Sequence, residues 1–283
     1  MIENQMIQPN PKATLRLERP GGGWLHYASA GAGAPVVLIH GFGLDCGMWD
    51  PQWSAFTQHH RVIRYDLRGY GSSSLPEGAY SHVDDLLALI DSLGARPAHL
   101  VGLSLGGRVA LRVAAQNPEV VRSLTLADPA LDGHPWSDDW LQRWRKMTEA
   151  ATRGDLGAAK KLWREHILFE PANKDPKVAD ALRVMIDRYS GWHLDHPDPG
   201  TGPASSVAEA LSSISIPTLV LVGEFDLPDF QSIARRLGQE MPQAELRTIA
   251  GSGHMSNMEA PRAFNELVLG FLQRCCGSAA FSD

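Results

Sequence analysis

Cysteine is scarce in this chain, which contains three cysteines among 283 residues. Secreted domains held by disulfides need more cysteines, and zinc sites need them at short, fixed spacings. Cys46 stands alone and Cys275 is followed directly by Cys276, so neither pattern fits. The sequence therefore predicts no disulfide framework and no metal site, as is typical of a reducing compartment. Cys275 and Cys276 are expected in an exposed tail after the last helix.

Clustered positive charge and long apolar runs are also missing. The 26 Lys and Arg residues are outnumbered by 32 Asp and Glu residues, which gives a net charge of −6. Nucleic acids and anionic membranes bind clustered Lys and Arg, so neither is an expected partner. No apolar stretch approaches the ~20 residues of a membrane span. Residues 1–10 lack the basic and apolar regions of a secretory signal, which favours a cytoplasmic location.

The chain has instead a regular alternation of strand and helix patterns. Helical patterns separate the strand patterns, for example the 3.6-residue periodicity that follows Ser81. The alternation predicts an α/β fold, with a mostly parallel sheet covered by helices on both faces. Ligands of such sheets bind beyond the carboxyl ends of the strands. The apolar runs typical of strands occupy residues 36–39, 62–65, 98–101, 121–127, 217–223 and 244–249.

One long segment, residues 129–206, interrupts this alternation. It contains no buried-strand pattern, and its apolar residues recur at helical spacing. A single aromatic residue of such an insertion usually packs against the body of the protein, but several together predict a wide apolar surface on a cleft. Among them, Trp140, Trp144 and Trp163 are the predicted substrate-binding residues. Five of the eight tryptophans fall inside the insertion, namely Trp136, Trp140, Trp144, Trp163 and Trp192.

The most specific motif is Gly-Leu-Ser-Leu-Gly at residues 102–106. It follows a strand pattern and precedes a helix pattern, which is the arrangement of a nucleophile elbow. In this turn the serine adopts a strained backbone conformation, and glycines are needed where a side chain would collide with the neighbouring strand and helix. The turn lifts the hydroxyl group of Ser104 out of the sheet, so Ser104 is the predicted nucleophile.

A serine nucleophile needs a general base and a carboxylate that orients the base. His254 is the predicted base, because it lies in a glycine-rich loop directly after a strand pattern. Asp226 is the predicted acid, since it follows the preceding strand and completes the chain order Ser, Asp, His that accompanies this elbow. Asp128, at the end of an earlier strand, is the alternative acid. The sequence favours Asp226.

The negative charge that develops on a substrate carbonyl oxygen requires N–H donors. Leu105, the residue after the nucleophile, is expected to supply one backbone N–H. The second donor is expected from the His-Gly-Phe-Gly loop at residues 40–43, and Phe42 is the predicted residue. His40 is predicted to be a structural hydrogen-bonding residue and not a base.

Together these motifs resemble the α/β-hydrolase superfamily, and the resemblance covers nearly the whole chain outside the insertion. It implies an eight-stranded, mostly parallel sheet with a helical cap inserted after the sixth strand. The core domain would comprise residues 1–128 and 207–283, and the cap residues 129–206, with a substrate pocket between them. The motifs are the 40–43 loop, Asp-Leu-Arg-Gly-Tyr-Gly-Ser at residues 66–72, the 102–106 elbow, Asp226 and His254.

The resemblance also bears on the reaction. Haloalkane dehalogenases and epoxide hydrolases carry aspartate in the elbow, so serine implies acyl transfer through an acyl-enzyme, with no cofactor and no metal. The elbow and the Gly-His-Met-Ser-Asn-Met-Glu segment at residues 253–259 resemble those of carboxylesterases and of enzymes like 3-oxoadipate enol-lactonase. The expected substrate is a small molecule, an ester or a lactone with an apolar or aromatic acyl part.

Two alternatives stay open. A carbon–carbon bond hydrolase of aromatic degradation, or another lyase, could use the same three residues, but its oxyanion loop is usually richer in glycine and proline than residues 40–44. A ligand receptor on the same fold could retain the three residues with very slow turnover, although no feature of the chain favours it. The sequence also leaves open whether the chain forms a homo-oligomer.

Overall fold

The computed structural model describes residues 15–19, 22–196 and 205–277, and its centre is a single sheet of eight strands. The strands are β1 (Leu15–Glu18), β2 (Trp24–Ala30), β3 (Pro35–Ile39), β4 (Arg61–Tyr65), β5 (Ala98–Leu103), β6 (Val121–Ala127), β7 (Thr218–Gly223) and β8 (Ala244–Ile249). Their order in the sheet is β1-β2-β4-β3-β5-β6-β7-β8. The β1–β2 and β2–β4 pairs are antiparallel, and all the others are parallel. The predicted α/β-hydrolase fold is confirmed.

Burial explains which strands the sequence reveals. Every residue of β5 and of β7 is buried, because helices cover both faces of the sheet there, and these strands read as continuous apolar runs. β1 is mostly exposed and β2 is only partly buried, because they form the antiparallel edge of the sheet. The apolar runs therefore predict β3 to β8 and overlook the first two strands.

Helices flank the sheet at the positions that the periodicity predicts. At the start of the second helix, Ser81 Oγ accepts a hydrogen bond from the N–H of Asp84, as an N-cap residue does. The α-helices of the described chain that precede β6 or follow β7 are α1 (Asp50–Thr57), α2 (His82–Ser92), α3 (Leu105–Gln116), α9 (Pro228–Glu240), α10 (Ser256–Glu259) and α11 (Pro261–Gly277).

Within the described residues, the segment between β6 and β7 contains helices and loops and no strand. This confirms the helical cap predicted after the sixth strand, whereas the division into domains at residues 128/129 and 206/207 remains a prediction. Arg188 of this segment pairs with Asp45 at 2.6 Å, and Ser190 Oγ donates to the carbonyl of Gly69, so polar contacts tie the cap to the core. Its helices are α4 (Asp138–Thr152), α5 (Leu156–Arg164), α6 (Pro176–Arg188), α7 (Trp192–Asp195) and α8 (Ser205–Ala210).

The C-terminal helix is longer than the sequence predicts. Cys275 and Cys276 lie inside α11 and are half-buried, so the expected exposed tail is wrong at these positions. The reason is that the apolar face of the helix continues, with Leu272 fully buried and Cys275 packed against the core.

The ends of the chain and its hydrophobicity bear on location. Residues 1–10, which carried the expectation of a cytoplasmic location, lie outside the described residues. Within the part that is described, no helix has both the length and the hydrophobicity needed to cross a membrane.

Close backbone packing at the start of α3 gives a test of the fold. A Cβ atom at Gly106 would lie 2.1 Å from the carbonyl oxygen of Ile39, and backbone of a central strand cannot move away. Gly106→Ala should lower the free energy of unfolding by about 3 kcal/mol, the upper end of overpacking costs. Urea denaturation followed by circular dichroism measures the change. Gly78→Ala is the matched control, because a Cβ there meets no atom within 4 Å. Equal stability of the two variants would contradict the packing.

Candidate active site

Ser104 sits in a sharp turn between β5 and α3. Its backbone angles, φ 54° and ψ −112°, are rarely adopted by residues with a side chain. The turn requires Gly102, because a Cβ at that position would lie 2.3 Å from the carbonyl oxygen of Gly106. The N–H of Ser104 donates to the carbonyl of Ala127 at 3.0 Å, which fixes the turn against β6. Ser104 is thereby held at the carboxyl edge of the sheet, where it lines a pocket.

His254 and Asp226 meet at the same edge of the sheet. His254 follows β8, Asp226 follows β7, and the distance from His254 Nδ1 to Asp226 Oδ2 is 2.9 Å. The other carboxylate oxygen of Asp226 accepts from the N–H of Leu227 at 2.7 Å. Since Nδ1 donates to the carboxylate, Nε2 is the nitrogen of neutral His254 that can accept a proton.

The position of His254 relative to the pocket is set by its neighbours. Its ring centroid is 4.3 Å from that of Phe230, which lines the same pocket as Ser104. Among the described residues there is no hydrogen bond between Ser104 Oγ and His254, and catalytic bonds of this kind often tighten only when a substrate binds. Glu259 fixes the loop, because its carboxylate accepts from the N–H of Gly253 at 2.7 Å and of Met255 at 2.9 Å. This role of Glu259 is not among those predicted from the sequence.

Burial controls the charge of His254. Removal from water lowers the pKa of His254 to about 4, and the negative charges of Asp128 and Glu259 oppose this effect only in part. His254 is therefore neutral at neutral pH, which is the form that a general base needs.

Asp128, the alternative acid of the sequence analysis, has different partners. Its Oδ1 accepts from the N–H of Gly223 at 2.7 Å, and its Oδ2 accepts from the hydroxyl group of Ser256 at 2.5 Å. Burial, and next the charge of Asp226, raise the pKa of Asp128 well above its usual range. The structure thus brings Asp226, and not Asp128, into hydrogen-bond contact with His254.

In the part of the chain that the structure describes, two clusters contain groups that metals can bind. The members of each have ligand atoms within 4.8 Å of one another, and the clusters are Asp128 with Asp226 and His254, and His26 with Cys46 and Asp66. The atoms of the second cluster already hold the loops together, since Asp66 is bonded to the His26 ring and to the N–H of Cys46. Burial also raises the pKa of the Cys46 thiol, which disfavours the thiolate that a metal would need.

The two predicted oxyanion donors flank the turn. Leu105 begins α3, and Phe42 lies in the loop after β3, the strand that pairs with β5 through Ile39 and Gly102. Both residues line the pocket together with Ser104. His40 has the structural role expected of it, because its Nδ1 donates to the carbonyl of Gly41 and its Nε2 accepts from the N–H of Leu67.

The pocket lies between the cap and the carboxyl edge of the sheet and has a volume of about 540 Å³. All three tryptophans predicted to face the substrate line it, although Trp163 is mostly buried. Trp140 is stacked between Trp136 and Trp144, with ring centroids 4.8 and 6.2 Å apart, because these residues follow one another at four-residue intervals on and just before α4. The cap therefore contributes a wall of stacked indole rings to the pocket.

A more polar wall contains residues that the sequence analysis did not assign to the pocket. Tyr70 and His193 are stacked with ring centroids 4.3 Å apart, and the hydroxyl group of Tyr80 lies 2.6 Å from His193 Nε2. Each comes from a different segment, so no local spacing in the sequence could reveal them. The lining residues that were not predicted include Tyr70, His82, Arg108, His193, His196 and Phe230.

Comparison with known proteins agrees with this geometry. Residues 36–267 match the profile of a family described as the alpha/beta hydrolase family. The 3-oxoadipate enol-lactonase 1 of Acinetobacter baylyi is 29% identical over 246 residues, which cover 84% of this chain and 88% of that protein. A thermophilic esterase from Thermogutta terrifontis has a TM-score of 0.81 and 28% identity, covering 93% of this chain and 98% of the other. The enol-lactonase from Burkholderia xenovorans has a TM-score of 0.79 and 27% identity, covering 92% and 100%.

Because His254 is buried, we predict that its pKa is lowered and that this can be measured by titration. In NMR spectra of protein labelled with 13C at histidine Cε1, the resonance of His254 should titrate below the ordinary pKa of 6.5, towards about 4. The exposed His196 is an internal control, because its bond to Asp195 raises the pKa of His196 above that value. The variants His254→Gln and His196→Gln assign the two resonances. A His254 resonance that titrates at or above 6.5 would contradict the electrostatic account.

Proposed function

Because the chain belongs to the alpha/beta hydrolase family, we propose that it is a serine hydrolase that cleaves a carboxylic ester or a lactone through an acyl-enzyme on Ser104. The observation that supports the proposal most directly is the 2.9 Å contact between His254 and Asp226. This pair lies next to the pocket that the strained Ser104 lines. The two relatives described as enol-lactonases and the one described as an esterase support the choice of bond.

The first half of the reaction forms the acyl-enzyme. Ser104 Oγ attacks the carbonyl carbon while Nε2 of His254 takes the hydroxyl proton, and the carboxylate of Asp226 stabilises the resulting imidazolium. The carbonyl electron pair moves onto oxygen, where the N–H groups of Phe42 and Leu105 stabilise the charge. When the carbonyl re-forms, the bond to the leaving alkoxide breaks, and the alkoxide takes the proton from His254.

The second half reverses these roles with water. His254 accepts a proton from water as the water oxygen attacks the acyl carbon, and the same two N–H groups stabilise the second oxyanion. Collapse of this intermediate breaks the bond to Ser104 Oγ, which recovers its proton from the imidazolium. The products are a carboxylic acid and the free enzyme, and no cofactor takes part in this scheme.

The cap supports an apolar or aromatic acyl part. Trp140 and Trp144 line the pocket as stacked rings, and Phe42 contacts Trp144 and Trp163 at 5.0 and 5.5 Å between centroids. Planar groups stack favourably on such surfaces. The same pocket is lined by Ser104, so an acyl group bound to this wall and the nucleophile share one cavity.

Replacement of the nucleophile tests the mechanism. Ser104→Ala should abolish hydrolysis of p-nitrophenyl esters, because no other group in the scheme can carry the acyl chain. Circular dichroism should show an intact fold. Ser54→Ala, on the exposed side of α1, is the matched control and should retain full activity. Full activity in Ser104→Ala would refute the mechanism, and poor turnover of every ester by the unaltered protein would favour a carbon–carbon hydrolase or a receptor.

Removal of an indole ring tests the acyl preference. Trp140→Ala should lower kcat/KM for a p-nitrophenyl benzoate by roughly tenfold to a hundredfold, as expected for a lost stacking surface worth about 1.5–3 kcal/mol. The acetate ester should be much less affected, because its acyl group is too short to reach across the wall. Val184→Ala, on the exposed side of α6 and outside the pocket, controls for loss of an apolar cap side chain. Equal losses for the two esters would refute aromatic acyl recognition.

A further inference from the structure

Asp128 takes no part in the reaction scheme, yet both its burial and its backbone conformation are energetically unfavourable. It is fully buried at the end of β6 and has a φ of 44°. Among the described residues, Ser104 is the other non-glycine residue with a positive φ. Such conformations cost about 1–3 kcal/mol and are concentrated at functional sites. The strain on Asp128 therefore indicates a role beside the nucleophile.

The contacts of Asp128 place it against the acid of the proposed triad. Carboxylate oxygens of Asp128 and Asp226 and a ring nitrogen of His254 lie within 4.8 Å of one another, and all three side chains are buried. Two carboxylates this close, away from water, cannot both be charged without a large repulsion. No arginine or lysine pairs with either carboxyl group among the described residues. The repulsion must be relieved by a proton.

We propose that Asp128 and Asp226 share one proton, and that Asp128 acts through this proton as a positioning residue that holds the Asp226 carboxylate on His254. The inference rests on the proposed function in assigning His254 as the base. The N–H of Gly223 and the hydroxyl group of Ser256 hold Asp128 in place, and the pair carries a single negative charge. Burial raises the pKa of both carboxyl groups, in agreement with a retained proton.

The shared proton also determines how much negative charge lies beside His254. The groups that face the cluster are Glu259, which acts on both Asp226 and His254, and His166 of the cap, whose pKa is lowered in part by His254. Loss of the shared proton at high pH would place a second negative charge beside His254. The two charged carboxylates would then repel each other, Asp226 would no longer be held on His254, and the imidazole would lose its orientation, so kcat/KM should decline on the alkaline side.

Infrared spectroscopy tests the proton without reference to activity. Spectra of protein with 13C-labelled aspartate should show the C=O stretch of a protonated carboxyl group at neutral pH. The band should be lost in both Asp128→Asn and Asp226→Asn, because the remaining carboxyl group no longer has a like charge beside it. Asp139→Asn, an exposed carboxylate on α4, is the matched control and should keep the band.

Each other result of the infrared experiment counts against sharing. If the unaltered protein lacks the band, no proton is retained. If the band persists in Asp226→Asn, Asp128 is neutral through burial alone. Because these outcomes do not depend on turnover, failure of the shared proton is distinguishable from failure of the proposed hydrolysis.

The pH dependence of kcat/KM separates a positioning role from a structural one. Asp128→Asn should lower kcat at neutral pH by about tenfold, far less than the ~10⁴-fold loss expected for Asp226→Asn when the imidazole is misoriented. Asp128→Asn should also remove the alkaline decline, since the variant has no shared proton to lose. A uniform loss at every pH, with the decline retained, would show that Asp128 is only structural. Circular dichroism of the variants verifies the fold.

Discussion

The backbone contact between β5, α3 and β3 is the constraint on which the site depends. Gly102 and Gly106 allow the strand, the helix and the neighbouring strand to approach within distances that a Cβ atom would block. This contact forces Ser104 into its strained conformation and directs its side chain out of the sheet. The same contact brings the loop after β3 beside the turn, so that Phe42 and Leu105 flank the serine. The proposed nucleophile and the proposed oxyanion donors are thus positioned by the same backbone packing.

The cap contributes to this core geometry as well as to the pocket. The ring of Phe42 packs edge-on against Trp144, Trp163 and Tyr189, so the residue whose N–H is proposed to stabilise the oxyanion is held by the cap. Gly43 has a positive φ, and a Cβ there would lie 2.5 Å from the indole nitrogen of Trp163. Cap packing and the position of the proposed oxyanion donor Phe42 are therefore coupled, and we expect substitutions in the cap to change turnover as well as binding.

The sequence predicts the elements whose signals are local. β5 is a continuous apolar run, and the elbow has glycines at fixed positions, so both are recognised directly. The hydrogen bond between His254 and Asp226 could be predicted because parallel strands end at one edge of the sheet. The strands β1 and β2 were not predicted, because strands at an antiparallel edge of a sheet are not continuously buried and so lack apolar runs. The sequence did not predict the pocket residues Tyr70, His82 and His193, because only the folded chain brings their segments together. The length of α11 was underestimated because Cys275 continues the apolar face of that helix.

The carboxyl edge of the sheet combines rigid strands with strained or tightly bonded loop residues. In the proposed mechanism, Ser104 is the only residue that becomes covalently bonded to the acyl group. Intact-mass measurement of protein quenched soon after mixing with p-nitrophenyl benzoate tests this most directly. The account predicts a protein heavier by one benzoyl group, with the added mass on the peptide that contains Ser104 and absent from Ser104→Ala. An adduct on another residue, or hydrolysis of the ester without any adduct on Ser104 at any quench time, would contradict it.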